Sequence, residues 1–343
     1  MRYHGPVGDH FDGRVFHNQA GPGGGRFLDV IRWLMSRKPG PWPEWTDSPP
    51  GPPPPKRVNG EALRVTFVNH STVLIQMGGM NILTDPVWSE RASPVSWAGP
   101  RRHRPPGLRM EHLPPIDAIL LSHNHYDHLD LASISRLSRE HHPRVIVPLA
   151  NRECLESRQL KVTAELDWWQ GIELDGGPSG SSPLRITSVP ARHFSGRGLR
   201  DRNAALWSGY VLESASSTVY FAGDTGYGEH FVQVRERFRP IRLALLPIGA
   251  FRPQWFMSPY HMSPEEAVDA HQVLDAATSL AIHFGTFRLA DDGQEEPAAR
   301  LRKALDRANI PPSRFWILGC GEGRDVPESV GRPTGPAGEA IEV

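Results

Sequence analysis

Within six consecutive positions, His123-Asn124-His125-Tyr126-Asp127-His128, this chain places three imidazoles and a carboxylate one residue after the apolar run Ala118-Ile119-Leu120-Leu121. No other feature constrains the fold as strongly. A buried strand must end here, because side chains that demand polar or metal partners cannot continue into an apolar core. Alternate positions of an extended turn aim His123 and His125 at one point. Asp127 and His128, at the start of the helix that follows, face a second. Imidazole nitrogens and carboxylate oxygens are the donors that Zn²⁺ takes at about 2.0–2.2 Å. An exposed polar turn has no use for this ligand density.

Around the motif the apolar pattern predicts a domain that begins near Leu63. Residues 63–68, 72–77, 81–84, 118–121 and 144–148 read as strands, with a turn at Asn69-His70-Ser71 and a strand end at Asp85-Pro86. Further strands are expected at 185–190, 206–213, 218–222, 242–247 and 279–284, and helices at 129–139, 229–238, 263–274 and 295–308. Helix 263–274 has a complete start signal: Ser263 as N-cap, Pro264 in the first turn and Glu266 closing a capping box. Strands grouped in two halves with helices between them suit a sheet-on-sheet core covered by helices.

The ends of the chain differ. Gly and Pro, 33 and 34 residues, concentrate toward both termini. Residues 1–57 read as a Gly/Pro-rich arm, a short helix around Phe27–Leu34 and a polyproline-like linker over 39–56. The short helix is expected to pack on the core, and a place on a bilayer surface is the alternative. The catalytic domain is expected over 58–321 and a disordered tail over 322–343.

Formal net charge is zero, which argues against a nucleic-acid partner, since that needs a broad basic surface. Cys154 and Cys320 lie far apart, so neither a disulfide framework nor a Cys-rich metal site is expected, and a reducing compartment fits. No secretory leader and no membrane-length apolar run is visible, and the expected location is cytoplasmic, with peripheral contact at the inner membrane face as an option.

Three later segments present further ligands at the ends of apolar strands: His193 after Val189-Pro190-Ala191-Arg192, Asp224 after Tyr220-Phe221-Ala222-Gly223, and His283 after Leu280-Ala281-Ile282. A strand end holds a side chain rigidly while aiming it into a cleft. Each histidine alone is as compatible with a structural role. Together with the first motif they supply enough donors for two metals.

This set, His123-x-His125-x-Asp127-His128 followed by His193, Asp224 and His283, resembles the metallo-β-lactamase superfamily in order and spacing. The resemblance extends to Leu83-Thr84-Asp85-Pro86, Arg91-Ala92-Ser93-Pro94, Gly99-Pro100-Arg101-Arg102, Leu166-Asp167-Trp168-Trp169, Trp255-Phe256-Met257, His261 with Pro264-Glu265-Glu266-Ala267, and His283-Phe284-Gly285-Thr286-Phe287. Over about residues 63–320 the chain is similar to the N-acyl-phosphatidylethanolamine-hydrolysing phospholipase D branch.

The resemblance implies an α+β chain, an αββα four-layer sandwich of the metallo-β-lactamase fold, with two Zn²⁺ per chain. His123, His125 and His193 would hold one, Asp127, His128 and His283 the other, with Asp224 bridging. It implies hydrolysis of a phospholipid phosphodiester by a metal-bridging hydroxide, with Asp127 also orienting the nucleophile. His261, in excess of the ligand count, is placed near the substrate, to stabilise phosphate or assist the leaving group. A helix-start residue without a catalytic role is the plainer reading of His261.

Where the animal members carry a Gln-Tyr pair, this chain has Ser96 and Trp97, followed by Ala98-Gly99-Pro100-Arg101-Arg102. Ser96, Trp97, Arg101 and Arg102 are therefore the candidate substrate contacts, and the head-group and acyl preferences stay open. Arg101, Arg102, Arg104 and Arg109 form a basic cluster that fits phosphate or a solvated loop equally. His70 reads as a structural turn residue, Asp85 as a brace at a strand end, and Trp255-Phe256-Met257 as core rather than acyl-chain lining. A lactam or lactone hydrolase would use the same ligands on a carbonyl substrate, and a non-catalytic metal-binding scaffold would be marked by lost ligands. Oligomeric state is open.

Overall fold

The apolar runs of the sequence become strands buried on both faces, and that is what builds this architecture. The computed structural model describes residues 3–19, 27–176, 183–198 and 200–328, with the Phe27 side chain left aside. In chain order the elements are α1 (Phe27–Ser36), β1 (Leu63–Asn69), β2 (Thr72–Met77), β3 (Met80–Thr84), β4 (Ala118–Leu120), α2 (Leu131–His141), β5 (Arg144–Pro148), α3 (Arg152–Glu156) and β6 (Ala164–Leu166). The second half supplies β7 (Gly171–Leu174), β8 (Leu184–Val189), β9 (Gly209–Glu213), β10 (Thr218–Phe221), α4 (His230–Phe238), β11 (Leu243–Pro247), α5 (Gln254–Met257), α6 (Pro264–Leu274), β12 (Thr278–Ile282), α7 (Glu296–Arg307), β13 (Phe315–Trp316) and β14 (Gly323–Asp325).

Two seven-stranded sheets result, ordered β14-β1-β2-β3-β4-β5-β6 and β13-β12-β11-β10-β9-β8-β7. Each is antiparallel on one side and parallel on the other, the parallel strands being β3 to β6 and β10 to β13. Parallel neighbours need crossover connections, and helices supply them on the outer faces. Alternation along each strand sorts the side chains. Ile75, Ile82, Ala118, Leu120 and Ile146 pack inward against Ile186, Tyr210, Leu212, Leu245 and Leu280 of the other sheet. Leu74, Leu83, Ile119, Val145 and Val147 point outward, under Ile134 and Leu137 of α2. Burial on both faces explains why these segments read as continuous apolar runs. The chain thus has the metallo-β-lactamase fold, helices and two mixed sheets in an αββα sandwich.

Several boundaries differ from the sequence expectation. β6, β7, β13 and β14 are two to four residues long, too short for a periodicity to register. Within the expected strand 206–213 only Gly209–Glu213 joins the ladder, while Leu206 and Trp207 turn away into a separate cluster. β14 lies beyond the expected domain end at 321, because the chain returns to pair with the edge of β1 and Arg64 meets Asp325 at 2.9 Å. The rest of the expected tail, residues 329–343, lies outside the described residues.

The segment expected as a free linker runs along the domain instead. Gly40, Thr46 and Gly51 donate backbone hydrogen bonds to Asp291, His103 and Gly107 at 2.7–2.8 Å. α1 stacks Trp33 on Phe256 (5.2 Å), and Arg37 just past its end ion-pairs with Asp291, while Leu28, Leu34 and Met35 stay exposed. No described helix is long and apolar enough to cross a membrane.

Candidate metal centre

The donors come from five separate chain segments that converge at one end of the sandwich. β4 delivers Ser122 to His128, β8 leads to His193, β10 to Asp224 and β12 to His283, while the β1–β2 turn brings His70. Backbone geometry makes the approach possible. Gly223 has φ +62°, and a Cβ there would lie 2.7 Å from Ser122 Cβ, so the turn that presents Asp224 needs glycine. A Cβ on Gly249 would likewise collide with the carbonyl of His283.

One group of donors is His123, His125 and His193. His123 Nδ1 faces Ser122 Oγ (2.9 Å), whose proton is committed to Asp85 (2.6 Å), so the ring donates there and keeps its Nε2 lone pair free. His193 Nδ1 donates to the Tyr260 carbonyl (3.0 Å), which frees its Nε2 in the same way. Those two nitrogens lie 2.8 and 3.2 Å from His125 Nδ1. Donor atoms of a tetrahedral zinc site with bonds of about 2.0–2.1 Å stand about 3.3 Å apart, so this spacing fits one small cation.

The second group is Asp127, His128 and His283, with His70 beside them. His128 Nδ1 donates to Asp85 Oδ2 (2.7 Å), and its Nε2 faces Asp127 Oδ2 (3.3 Å) and Asp224 Oδ2 (3.2 Å). His283 Nε2 lies 2.9 Å from Asp224 Oδ2 and 3.4 Å from Asp127 Oδ2. Asp224 also closes on His193 Nε2 (3.9 Å) and His261 Nδ1 (3.9 Å), so it stands between the two groups. His128 Nε2, His283 Nε2, Asp224 Oδ1 and His261 Nδ1 are buried without a hydrogen-bond partner. Buried polar atoms are rarely left so, and their convergence is what a metal would satisfy.

The electrostatics follow from burial and proximity. Burial, reinforced by neighbouring imidazoles, holds His123 and His193 well below the usual histidine range, and burial carries His125 down to about 4. These three rings are neutral and ready to ligate, whereas His128 and His283 must give up a proton to do so. Burial opposes charge on His128 as well, but Asp224, Asp127 and Asp85 lift it well above 6.5, and Asp224 and Asp127 lift His283 to about 9. Burial would raise both carboxyls, yet His128 drives Asp127 and Asp224 well below the ordinary range.

All seven expected ligands therefore meet in one cluster, and His261 joins its rim, with its ring 5.0 Å from His193 and 5.3 Å from His283. His70 departs from the expectation of a structural turn residue. Its Nε2 lies 3.0 Å from Asp127 Oδ2, and its carbonyl accepts from His283 N (2.8 Å). Nothing in the local sequence marks it, since the contact joins positions 57 residues apart. Asp85 acts as the expected brace and more, accepting from Ser122 N, Ser122 Oγ and His128 Nδ1 within 2.7 Å.

The candidate substrate residues separate. Ser96 borders an open cleft of about 790 Å³ with Arg91, Tyr126, Arg158 and Arg197, and Trp97 is 80% exposed at its loop tip. Arg101 is spent on a surface ion pair with Glu90 (2.6 Å). Arg102 corrects the expectation: it is buried, and its guanidinium donates to the carbonyls of Ser89, Val87 and Arg104, so it braces the loop rather than facing substrate. Of the predicted core triplet, Met257 is buried and Phe256 packs on Trp33, while Trp255 is half exposed.

A convergent His/Asp cluster at the edge of this sandwich defines a metal-dependent hydrolase. The model of the Beta-lactamase superfamily domain matches residues 80–284. The chain is 36% identical over 270 residues to N-acyl-phosphatidylethanolamine-hydrolyzing phospholipase D 1 of Caenorhabditis elegans, covering 76% of this chain and 75% of that one. It is 40% identical over 259 residues to an uncharacterised protein of Mycobacterium tuberculosis, covering 74% and 67%. A possible metal-dependent hydrolase from Veillonella parvula superposes with TM-score 0.60 at 19% identity, over 77% of this chain and 99% of that chain. The chain belongs to the metallo-β-lactamase superfamily, in the branch of the N-acyl-phosphatidylethanolamine-hydrolysing phospholipase D.

Proposed function

We propose that the chain hydrolyses the phosphodiester of an N-acylated phosphatidylethanolamine or a related phospholipid, on the side that releases phosphatidic acid. The reading is carried by the 36% identity to the worm phospholipase over three quarters of both chains, together with a complete ligand set. Two zinc ions are the proposed cofactor. His123, His125 and His193 would hold one and Asp127, His128 and His283 the other, with Asp224 within reach of both.

When bound, such ions supply Lewis acidity toward phosphoryl oxygens and acidify water near neutral pH. The remaining chemistry belongs to the chain. Asp127, fixed by His70 at 3.0 Å, orients the attacking water. His261, whose pKa burial lowers to about 3, is a neutral imidazole at the rim, 12% exposed, and donates a hydrogen bond to the phosphoryl group or the departing oxygen. The phospholipid is the proposed partner. The exposed Val95 and Trp97 beside the cleft suit contact with a lipid surface, at which the protein would act peripherally.

The test incubates metal-analysed protein with N-acyl-phosphatidylethanolamine, phosphatidylethanolamine, a simple phosphodiester, an acyl-homoserine lactone and a penicillin. His123→Ala serves as control. Phosphatidic acid released by the wild type and absent in the variant supports the reading. Turnover confined to the lactone or the penicillin rejects the phospholipid and keeps the site.

A further inference from the structure

Among the described residues the N-terminal segment contributes no donor to the cluster, yet it is sewn onto the strand end that carries one. Phe11 and Phe16 form an antiparallel bridge, and both are buried among Trp168, Ala191, Leu206 and Trp207. The turn between them is closed by Asp12, whose Oδ1 accepts from Arg14 N (2.8 Å) and Val15 N (2.9 Å). His10 stacks on Trp168 (4.4 Å) and reaches Asp167 (2.7 Å). Phe16 N donates to the Asn203 carbonyl (2.8 Å), and Asn203 N donates to the Ser195 carbonyl (2.9 Å), two residues past His193.

Two residues beyond Phe16, Asn18 turns inward. Its Oδ1 accepts from His193 N and from Trp207 Nε1, both at 3.1 Å. Its Nδ2 donates to the His193 carbonyl at 3.0 Å. β8 ends at Val189, so the ladder no longer serves the backbone of His193. One amide side chain thus holds both backbone polar groups of this residue. With the backbone clamped by Asn18 and Nδ1 tied to the Tyr260 carbonyl, the aim of Nε2 toward His125 is over-determined.

We propose that Asn18 is a positioning residue of the metal centre, reaching from outside the two-sheet sandwich to hold His193 in its ligating pose. The inference rests on the reading that His123, His125 and His193 bind a metal. Groups that orient a ligand in this way typically carry about 10- to 100-fold in metal affinity. The arm prepares Asn18 for the task, because the buried Phe11 and Phe16 fix its backbone before any metal arrives.

The experiment titrates Zn²⁺ into the full-length protein against a chromophoric chelator and records the visible spectrum of the Co²⁺ form. Urea unfolding of the chelator-treated protein is measured alongside. Asn18→Ala is compared with wild type and with His17→Ala, an exposed neighbour whose side chain pairs with Asp12 and makes none of the contacts to His193 or Trp207. The expected result is a loss of about tenfold or more at one of two sites and an altered Co²⁺ spectrum, with an unfolding midpoint close to that of His17→Ala. Asn18→Asp, which keeps the accepting oxygen and loses the donation, falls between, and it carries the test should Asn18→Ala fail to fold. Wild-type zinc affinity and spectrum in Asn18→Ala overturn the proposal. So does an equal loss at both sites that tracks a lowered unfolding midpoint. A wild-type protein that binds no metal removes the metal reading itself, and with it this inference, and that failure shows before any variant is made.

Discussion

Replacing Asp85 by asparagine tests how the second half of the centre is held. Asp85 is fully buried, with Oδ1 accepting from Ser122 N (2.7 Å) and Oδ2 from both Ser122 Oγ (2.6 Å) and His128 Nδ1 (2.7 Å). Its φ of +33° lies on the left-handed side, which asparagine tolerates, so the backbone has no reason to move. The amide oxygen can keep the bond to Ser122 N only by turning its NH₂ toward His128 Nδ1. His128 then relieves the donor-to-donor contact by moving its proton to Nε2, the atom that faces Asp127 and Asp224. A protonated Nε2 has no lone pair for a metal. The loss is expected to be about 10- to 100-fold in affinity at that site, roughly 1.4–2.8 kcal/mol, and the site of His123, His125 and His193 weakens with it, because the same NH₂ faces Ser122 Oγ and turns that hydroxyl's proton toward His123 Nδ1. Equilibrium zinc titration and metal stoichiometry per chain provide the assay, with urea unfolding to separate lost ligation from lost stability. Removal of one charge-assisted bond costs about 1.5–3 kcal/mol of folding stability. An Asp85→Asn protein that binds both metals at wild-type affinity refutes the tautomer argument.

Two further outcomes follow from the same physics. Chelation should lower the melting temperature and zinc should restore it, because a metal that binds only the folded donor set adds about 2.7 kcal/mol of stability per site when the free metal stands 100-fold above its dissociation constant. A melting temperature indifferent to chelator would mean the cluster holds no ion. His271 gives a pH effect away from the site. Burial lowers its pKa to about 4, against about 6.5 in the unfolded chain, while Nδ1 bonds Ser279 Oγ at 2.8 Å. The native state binds fewer protons between those values, so the contribution is complete above pH 6.5 and is lost as pH falls through about 4. The full span is on the order of 3 kcal/mol. His271→Gln should flatten the slope of unfolding free energy over that window, and an unchanged slope counts against it.

What could be read without coordinates was whatever lay close together in the chain. The His123–His128 motif is local: its ligands fill the turn between the end of β4 at Leu120 and the start of α2 at Leu131. The start of α6 was legible for the same reason: Ser263 accepts from Glu266 N (3.2 Å) and the Glu266 side chain accepts from Ser263 N (2.8 Å), within one turn. The inner strands announced themselves because burial on both faces leaves no polar alternation to misread. His193, Asp224 and His283 were visible as strand ends, and their meeting was inferred from family resemblance rather than spacing.

Tertiary structure alone decided the rest, because it rests on contacts between segments that carry no local mark. His70 stands in an ordinary turn and becomes a neighbour of Asp127 only when the β1–β2 hairpin closes against β12. Arg102 sits in a basic run that suggested phosphate, and folding instead buries its guanidinium among three carbonyls. The arm and the Pro-rich segment look loose by composition, since Gly and Pro report local backbone freedom and say nothing of a surface waiting to receive them. Residues 39–56 find carbonyl partners along the domain, and Phe11, Phe16 and Asn18 find a cleft of tryptophans beside His193. A local pattern records which backbone states a segment prefers; which distant surface captures that segment is settled only when the two sheets have packed.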